Sequence, residues 1–114
     1  METEGEEKGE HSLKRSRTDR NQQDVIDALR KAGCSVLSLA NVGQGCPDLL
    51  CGLAGKNWLI EVKDGTKPPS KQKLTPAQKR FHEFHVEHPE KYWNGQKAVV
   101  TTVREALAVV IGVG

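Results

Sequence analysis

The chain has 114 residues, which is enough for one domain with a single modest hydrophobic core. Its formal net charge is +2, but the first ten residues carry five glutamates and one lysine, which leaves residues 11–114 with a net charge of +6. A basic body of this kind suits a polyanionic partner, and because no apolar run is as long as a bilayer is thick, we expect no membrane association.

Residues 1–17 are predicted to form a disordered charged tail, because Leu13 is their only aliphatic residue apart from the initiator methionine. The single folded domain then covers residues 18–114. The acidic N-terminus is the opposite of a secretory signal. The three cysteines are odd in number and lack metal-ligand spacing, which is typical of reduced thiols in an intracellular protein. We therefore expect a cytoplasmic location.

The first half of the domain begins with a predicted helix over 19–32, which Gly33 ends. Residues 34–40 alternate in polarity and are predicted to form a strand. They lead into the glycine-rich loop 41–45. The loop lacks the lysine of a phosphate-binding P-loop, so a nucleotide-binding protein is not favoured. We interpret the loop as a flexible segment whose backbone passes close to a site.

Residues 45–63 are predicted to form a β-hairpin with a break at 54–57. Because side chains alternate along a strand, Glu61 and Lys63 should project from one face, and the turn should bring Asp48 to their level. Two carboxylates and an ammonium then share one small space, and oxygen ligands of this kind suit Mg²⁺ or Mn²⁺. The alternative is that Glu61 and Lys63 form the solvent face of a half-buried strand while Asp48 caps a turn.

The segment 64–73 is rich in glycine, proline and lysine and is predicted to be a loop. Its lysines follow the predicted acidic site directly, so we expect them to contact the phosphates of DNA. A surface loop can also be lysine-rich without any partner. The lysines concerned are Lys67, Lys71 and Lys73.

The second half of the domain is predicted to contain a helix, a strand and a final helix. Thr75 and Gln78 form a capping box that opens the first of these helices, on which Phe81 and Phe84 should face inward. Histidines recur at three-residue spacing over 82–88, without the i, i+4 pairing of a zinc site, and are interpreted as surface residues.

After this helix, Tyr92 and Trp93 are expected to cover the edge of the core, with stacking on an unpaired base as the alternative. Residues 97–101 are predicted to form a strand. A second capping box, Thr102 with Glu105, opens the last helix.

The element order α-β-β-β-α-β-α predicts an α/β domain with a mixed central sheet flanked by helices. The predicted domain contains two short sequence motifs, Pro47-Asp48 on one strand and Glu61-Val62-Lys63 on the next. Together, in this order, they resemble the signature of the PD-(D/E)XK nuclease superfamily. The flanking segments 43–45, 63–65 and 67–78 resemble those of the virus-type replication-repair nuclease (VRR-NUC) branch of this superfamily, which includes small stand-alone phage members. The resemblance covers 19–111 and implies a restriction-endonuclease-like αβββαβ core.

The resemblance implies a divalent-metal-dependent endodeoxyribonuclease. Asp48 and Glu61, with the backbone carbonyl of Val62, would hold Mg²⁺ or Mn²⁺, and Lys63 would orient or help deprotonate the attacking water. Asp24 stands where the family commonly has a glutamate on the first helix. It is one methylene shorter, so either it joins the metal site, directly or through a water, or it only complements the helix dipole.

The resemblance also bears on Gln78 and on partners. The family often has a glutamine near the site on the second helix, so Gln78 is a candidate catalytic residue as well as a capping residue. Stand-alone members are associated with dimers and four-way junctions, which suggests a homodimer that cuts branched DNA, in the host cytoplasm if the chain is phage-encoded. The apolar run 109–113 supports a dimer indirectly. The alternatives are a monomeric nickase or flap nuclease and a non-catalytic DNA-binding module.

Overall fold

A computed structural model describes residues 17–112, so the predicted tail 1–17 lies outside the described residues except for Arg17. The helices are α1 (Arg17–Lys31), α2 (Pro69–Gln72), α3 (Pro76–Glu83) and α4 (Val103–Ile111), and the strands are β1 (Ser35–Ser38), β2 (Leu49–Leu53), β3 (Lys56–Val62) and β4 (Lys97–Val100). Within residues 17–112, none of the helices combines the length and the apolar character that a bilayer crossing requires.

The four strands form one mixed sheet in the order β1-β2-β3-β4. β1, β2 and β3 pair antiparallel, and β4 pairs parallel with β3. The β2–β3 hairpin turns at Ala54 and Gly55, whose φ angles are +53° and +82°, as a two-residue hairpin turn with left-handed backbone requires. The parallel β4 needs a long crossover, which α2 and α3 supply. The predicted α/β class with a mixed sheet and flanking helices is confirmed.

The hydrophobic core lies between one face of the sheet and the helices α1 and α4. Val25 and Leu29 of α1 are fully buried against Ile60 of β3, and Val110 of α4 joins the same cluster. Val109 is half-buried against it, and within the described part of the predicted apolar run 109–113, Ile111 is the one exposed large hydrophobic residue, at 48%. The apolar character of α4 is therefore explained by packing inside the chain.

Two predictions for the second half of the domain are wrong. The segment 64–73 is not entirely a loop, because Pro69 opens a one-turn helix, a position for which its fixed φ is well suited. Phe84 is exposed rather than inward-facing, and α3 buries none of its residues fully. The physical reason is that α3 does not lie on the apolar core. It covers the opposite, more polar face of the sheet, towards which Glu61 points.

The two predicted capping boxes differ in outcome. Thr75 accepts a hydrogen bond from the backbone N–H of Gln78, and the Gln78 side chain accepts one from the N–H of Thr75, so this box is complete. Thr102 accepts from the N–H of Glu105, but the Glu105 carboxylate accepts from the N–H and hydroxyl of Thr101 instead. The second box is thus shifted by one residue.

The glycine-rich loop packs its backbone directly against the first turn of α3. Gly45 has a φ of +82°, and a Cβ built there would lie 2.4 Å from the carbonyl oxygen of Ala77. Gly43 has a similar φ of +76°, but its Cβ would meet open space. Only Gly45 therefore combines a left-handed backbone with a close approach that excludes any side chain.

We expect Gly45→Ala to destabilise the chain by about 1–3 kcal/mol more than Gly43→Ala, because both add strain at positive φ but only the first adds a clash. Urea denaturation of the two variants measures the difference. Equal losses of unfolding free energy would show that the loop does not need to touch α3.

Candidate active site

The β2–β3 hairpin brings Asp48, Glu61 and Lys63 together at one end of the sheet. Asp48 directly precedes β2, and the register Leu49↔Ile60 sets it across from Glu61. Lys63 directly follows β3, and its backbone N–H donates to the carbonyl oxygen of Val100 on β4. The three charged residues thus occupy positions fixed by backbone pairing on both sides of β3.

Glu61 is a buried carboxylate on the face of the sheet away from the core. Its neighbours Ile60 and Val62 belong to the core cluster, so alternation turns Glu61 to the other side. Only 2% of Glu61 is exposed. Burial raises the pKa of its carboxyl from 4.5 to about 8, and the charge of Asp48 adds to the rise while Lys63 opposes it. Glu61 Oε1 has no hydrogen-bond partner among the described residues.

Asp48 is oriented by the backbone of β3. Its Oδ2 accepts a hydrogen bond of 2.8 Å from the N–H of Val62. This bond joins the start of β2 to the end of β3, where the ladder of the hairpin stops. The Asp48 carboxylate is therefore held beside Glu61 by a backbone donor.

Gln78 of α3 connects the acidic and basic side chains. Its Oε1 accepts from Lys63 Nζ at 2.9 Å, and its Nε2 donates to Glu61 Oε2 at 3.1 Å. Lys63 Nζ also lies 3.7 Å from Glu61 Oε2. The same Oε1 accepts the capping bond from Thr75. The two alternatives predicted for Gln78, capping and a place in the site, are both present.

The first helix reaches the site through Asn21, which sequence reasoning missed. Asn21 Nδ2 donates to the carbonyl oxygen of Lys63 at 2.9 Å. Asp24, one turn further along, is exposed and does not line the cavity described next. Among residues 17–112 no three side chains of His, Cys, Asp or Glu are grouped as metal ligands. The structure therefore does not bring Asp24 to Asp48 and Glu61.

Asp48, Glu61, Lys63 and Gln78 line an open cavity of about 540 Å³. Lys67 and Lys71 border it, whereas Lys73 lies outside its lining. Asp64 also lines it, and its Oδ1 accepts from both the N–H and the hydroxyl of Thr66. The cavity thus combines an acidic pair, of which Glu61 is buried, with a rim of lysines. This arrangement suits an anion that binds together with a cation.

Two substitutions separate the roles of Gln78. Thr75→Ala should cost about 1 kcal/mol of stability through loss of the cap, while the bonds of Gln78 to Glu61 and Lys63 remain. Gln78→Leu should cost a similar amount and should also slow the DNA cleavage that the resemblance implies by about tenfold or more, because Lys63 loses its partner. Urea denaturation and cleavage rates measure the two effects. Equal activity of the two variants would reduce Gln78 to a capping residue.

The fold agrees with one comparison. The sequence matches no protein-family model and, at a significant level, no curated protein. A solved structure described as a VRR_NUC domain matches with a TM-score of 0.57 and 26% sequence identity, over 85% of this chain and 97% of its own length. The fold is thus of the restriction-endonuclease-like kind found in the PD-(D/E)XK superfamily. The match supports a VRR-NUC domain in this chain and, with it, a nuclease domain.

Proposed function

We propose that the chain is a divalent-metal-dependent endodeoxyribonuclease that hydrolyses DNA phosphodiesters. The observation that carries this proposal is Glu61, a buried carboxylate with an unpartnered Oε1 that faces Asp48 in an open cavity. Two adjacent carboxylates in such a place are costly unless a cation lies between them. The donor set therefore fits a divalent ion.

The residues that would hold the ion are Asp48, Glu61 and the backbone carbonyl of Val62. All three residues line the cavity, and hard oxygen ligands match Mg²⁺ or Mn²⁺. When bound, the ion would supply the positive charge that neutralises the two carboxylates and polarises a phosphate oxygen.

Lys63 is assigned the role of orienting the attacking water and stabilising the negative charge that develops on the phosphate. Its Nζ is fixed by Gln78 Oε1 and lies near Glu61 Oε2, so little reorganisation is needed when the substrate arrives. Gln78 is a positioning residue in this scheme, because it acts through Lys63 and Glu61.

Lys67 and Lys71 are assigned to the DNA backbone because they border the cavity. Removing one lysine–phosphate interaction should reduce the slope of log K against log salt by about 0.9 for duplex DNA. Lys67→Gln and Lys71→Gln should therefore each flatten the salt dependence of binding, measured by fluorescence anisotropy in the presence of a chelator. Lys73→Gln, outside the cavity lining, is the matched control. If it flattened the salt dependence as much as Lys67→Gln and Lys71→Gln, the DNA backbone would not be bound specifically at the rim of the cavity.

A non-catalytic DNA-binding module is the alternative, and the paired carboxylates of Asp48 and Glu61 disfavour it, because they weaken rather than strengthen contact with a polyanion. The test is a cleavage panel of single-stranded, duplex, flap and four-way DNA with Mg²⁺, with Mn²⁺ and with a chelator. We expect metal-dependent products on at least one substrate. Binding without cleavage across the whole panel would identify a module instead.

We further propose that the active form is a homodimer acting on branched DNA. The described residues hold one acidic pair, and one such site per chain cuts one strand, so paired incision at a branch needs two copies related by symmetry. Light scattering at micromolar concentration tests the dimer. In mixtures of wild-type and Glu61→Gln chains, we expect four-way junctions nicked on one strand only. A monomer that cuts one strand of flap DNA would instead indicate the nickase or flap nuclease.

A further inference from the structure

A second cavity, of about 590 Å³, opens beside the first turn of α3. Two aromatic rings, Phe81 and Tyr92, and two cations, Arg80 and Lys91, contribute to its lining. None of its lining residues, all within the described chain, is acidic. Its volume falls within the roughly 300–1,000 Å³ of small-molecule sites. The second cavity therefore offers flat apolar surface together with positive charge, whereas the first cavity also contains carboxylates.

The two cavities share a thin wall. Ala77 lines the second cavity, and the next residue, Gln78, lines the first. Cys46 also lines the second cavity, and Asp48, two residues further along the chain, lines the first. The second cavity is therefore adjacent, along α3, to the cavity that holds the acidic pair.

Tyr92 is held as a fixed platform. Its ring meets Phe84 edge to face, with centroids 5.7 Å apart, and lies 6.4 Å from the His88 ring. The backbone N–H of Tyr92 donates to the carbonyl oxygen of His88. Lys91 Nζ lies 5.8 Å from the centroid of the Tyr92 ring. Bases of unpaired DNA stack on aromatic rings of this kind, and nearby basic side chains bind the phosphates of the backbone.

We propose that this second cavity receives one unpaired nucleotide of the cleaved strand, with its base against Tyr92 and Phe81 and its phosphate near Arg80 and Lys91. A base inside a duplex stack cannot enter the cavity without unpairing. The cavity therefore selects DNA in which a nucleotide next to the cut phosphate is unpaired, as at a gap, bulge or branch. This inference rests on the proposed nuclease function for the position of the cut.

The test uses the full chain in chelator, where DNA is bound but not cut. The probe is a duplex oligonucleotide with one unpaired 2-aminopurine, a fluorescent adenine analogue whose emission falls on stacking. We expect quenching on binding by the wild type and by Tyr92→Phe, which keeps the ring. Tyr92→Leu should lose the quenching and bind about fivefold or more weakly. Replacing the unpaired nucleotide with an abasic one should weaken wild-type binding to a similar extent, with no change to the protein.

Charge variants complete the test. Arg80→Gln and Lys91→Gln should weaken binding of the unpaired probe and flatten its salt dependence. Lys56→Gln, at the exposed hairpin turn, is the matched control and should change neither. Full quenching by Tyr92→Leu, or equal wild-type affinity for the abasic and the intact probe, would overturn the inference.

The outcomes for the cavity and for the nuclease are distinguishable. Ring-dependent quenching by a wild type that cuts no DNA with any metal would support the nucleotide site and reject the proposed function. The nucleotide site alone would be rejected if the wild type cleaved DNA with metal while neither Tyr92→Leu nor the abasic probe changed DNA binding.

Discussion

Glu61→Gln should abolish DNA cleavage, by on the order of a thousandfold or more, while leaving the chain folded. The variant removes the charge of a side chain that is 2% exposed and faces a second carboxylate. Without a metal ion this charge is unfavourable, so its loss should not weaken the fold. Metal binding, measured by calorimetry, should fall together with activity, because Asp48 alone is a poor site.

The matched control is Glu87→Gln, which makes the same chemical change at an exposed position after α3. It should cleave DNA as the wild type does. Circular dichroism and thermal melting of both variants show whether the fold is kept. A folded Glu61→Gln chain with wild-type activity would remove Glu61 from the site and leave the proposed mechanism without its central ligand.

The stability of the metal-free chain should fall as the pH rises from about 5 to about 8. The pKa of Glu61 is raised from 4.5 to about 8 in the folded chain. Across this interval the folded chain holds a proton that the unfolded chain has released, so the free energy of unfolding decreases with pH. Each unit of pKa is worth about 1.4 kcal/mol, which sets a total effect on the order of a few kcal/mol.

Urea denaturation at several pH values, for the wild type and for Glu61→Gln, isolates this effect, because titration of His82 and other groups is common to both. The wild type should lose stability relative to the variant as the pH rises. Saturating Mg²⁺ should remove the loss, because a bound cation favours the ionised carboxylates. Parallel pH profiles without metal would mean that Glu61 stays ionised in the folded chain.

The proximity of Asp48 and Glu61 was predictable from the sequence because both belong to one hairpin, whereas their interpretation as a metal site depended on the family resemblance. A two-residue turn joins β2, which Asp48 precedes, to β3, which carries Glu61. The alternation of side chains along a strand then determines the face of the sheet on which each residue lies. The cap formed by Gln78 was predictable for a similar reason, since the spacing from Thr75 to Gln78 is a local capping signal. The place of Gln78 beside Glu61 was expected only from the family resemblance. Local periodicity and short connections thus account for most of the fold and for the proximity of the acidic pair.

The remaining features depend on contacts between distant segments. Asn21 meets Lys63 across 42 positions, and helical spacing cannot tell which polar residue of α1 ends beside a strand. The helix α2 has four residues, too few to leave a periodic pattern. The second cavity lies between the glycine-rich loop and α3, which approach each other at Gly45 and Ala77. Local sequence patterns do not predict this contact between distant segments.

Both edge strands of the sheet, β1 and β4, have only four residues. Short edges offer few unpaired backbone groups to another chain, which is one way in which natural sheets avoid edge-to-edge growth. Two copies of this domain would therefore have little to gain from one continuous sheet. Their contact would instead consist of side chains on helices and loops, a kind of surface that can be altered by substitution without disturbing the strands that hold the acidic pair.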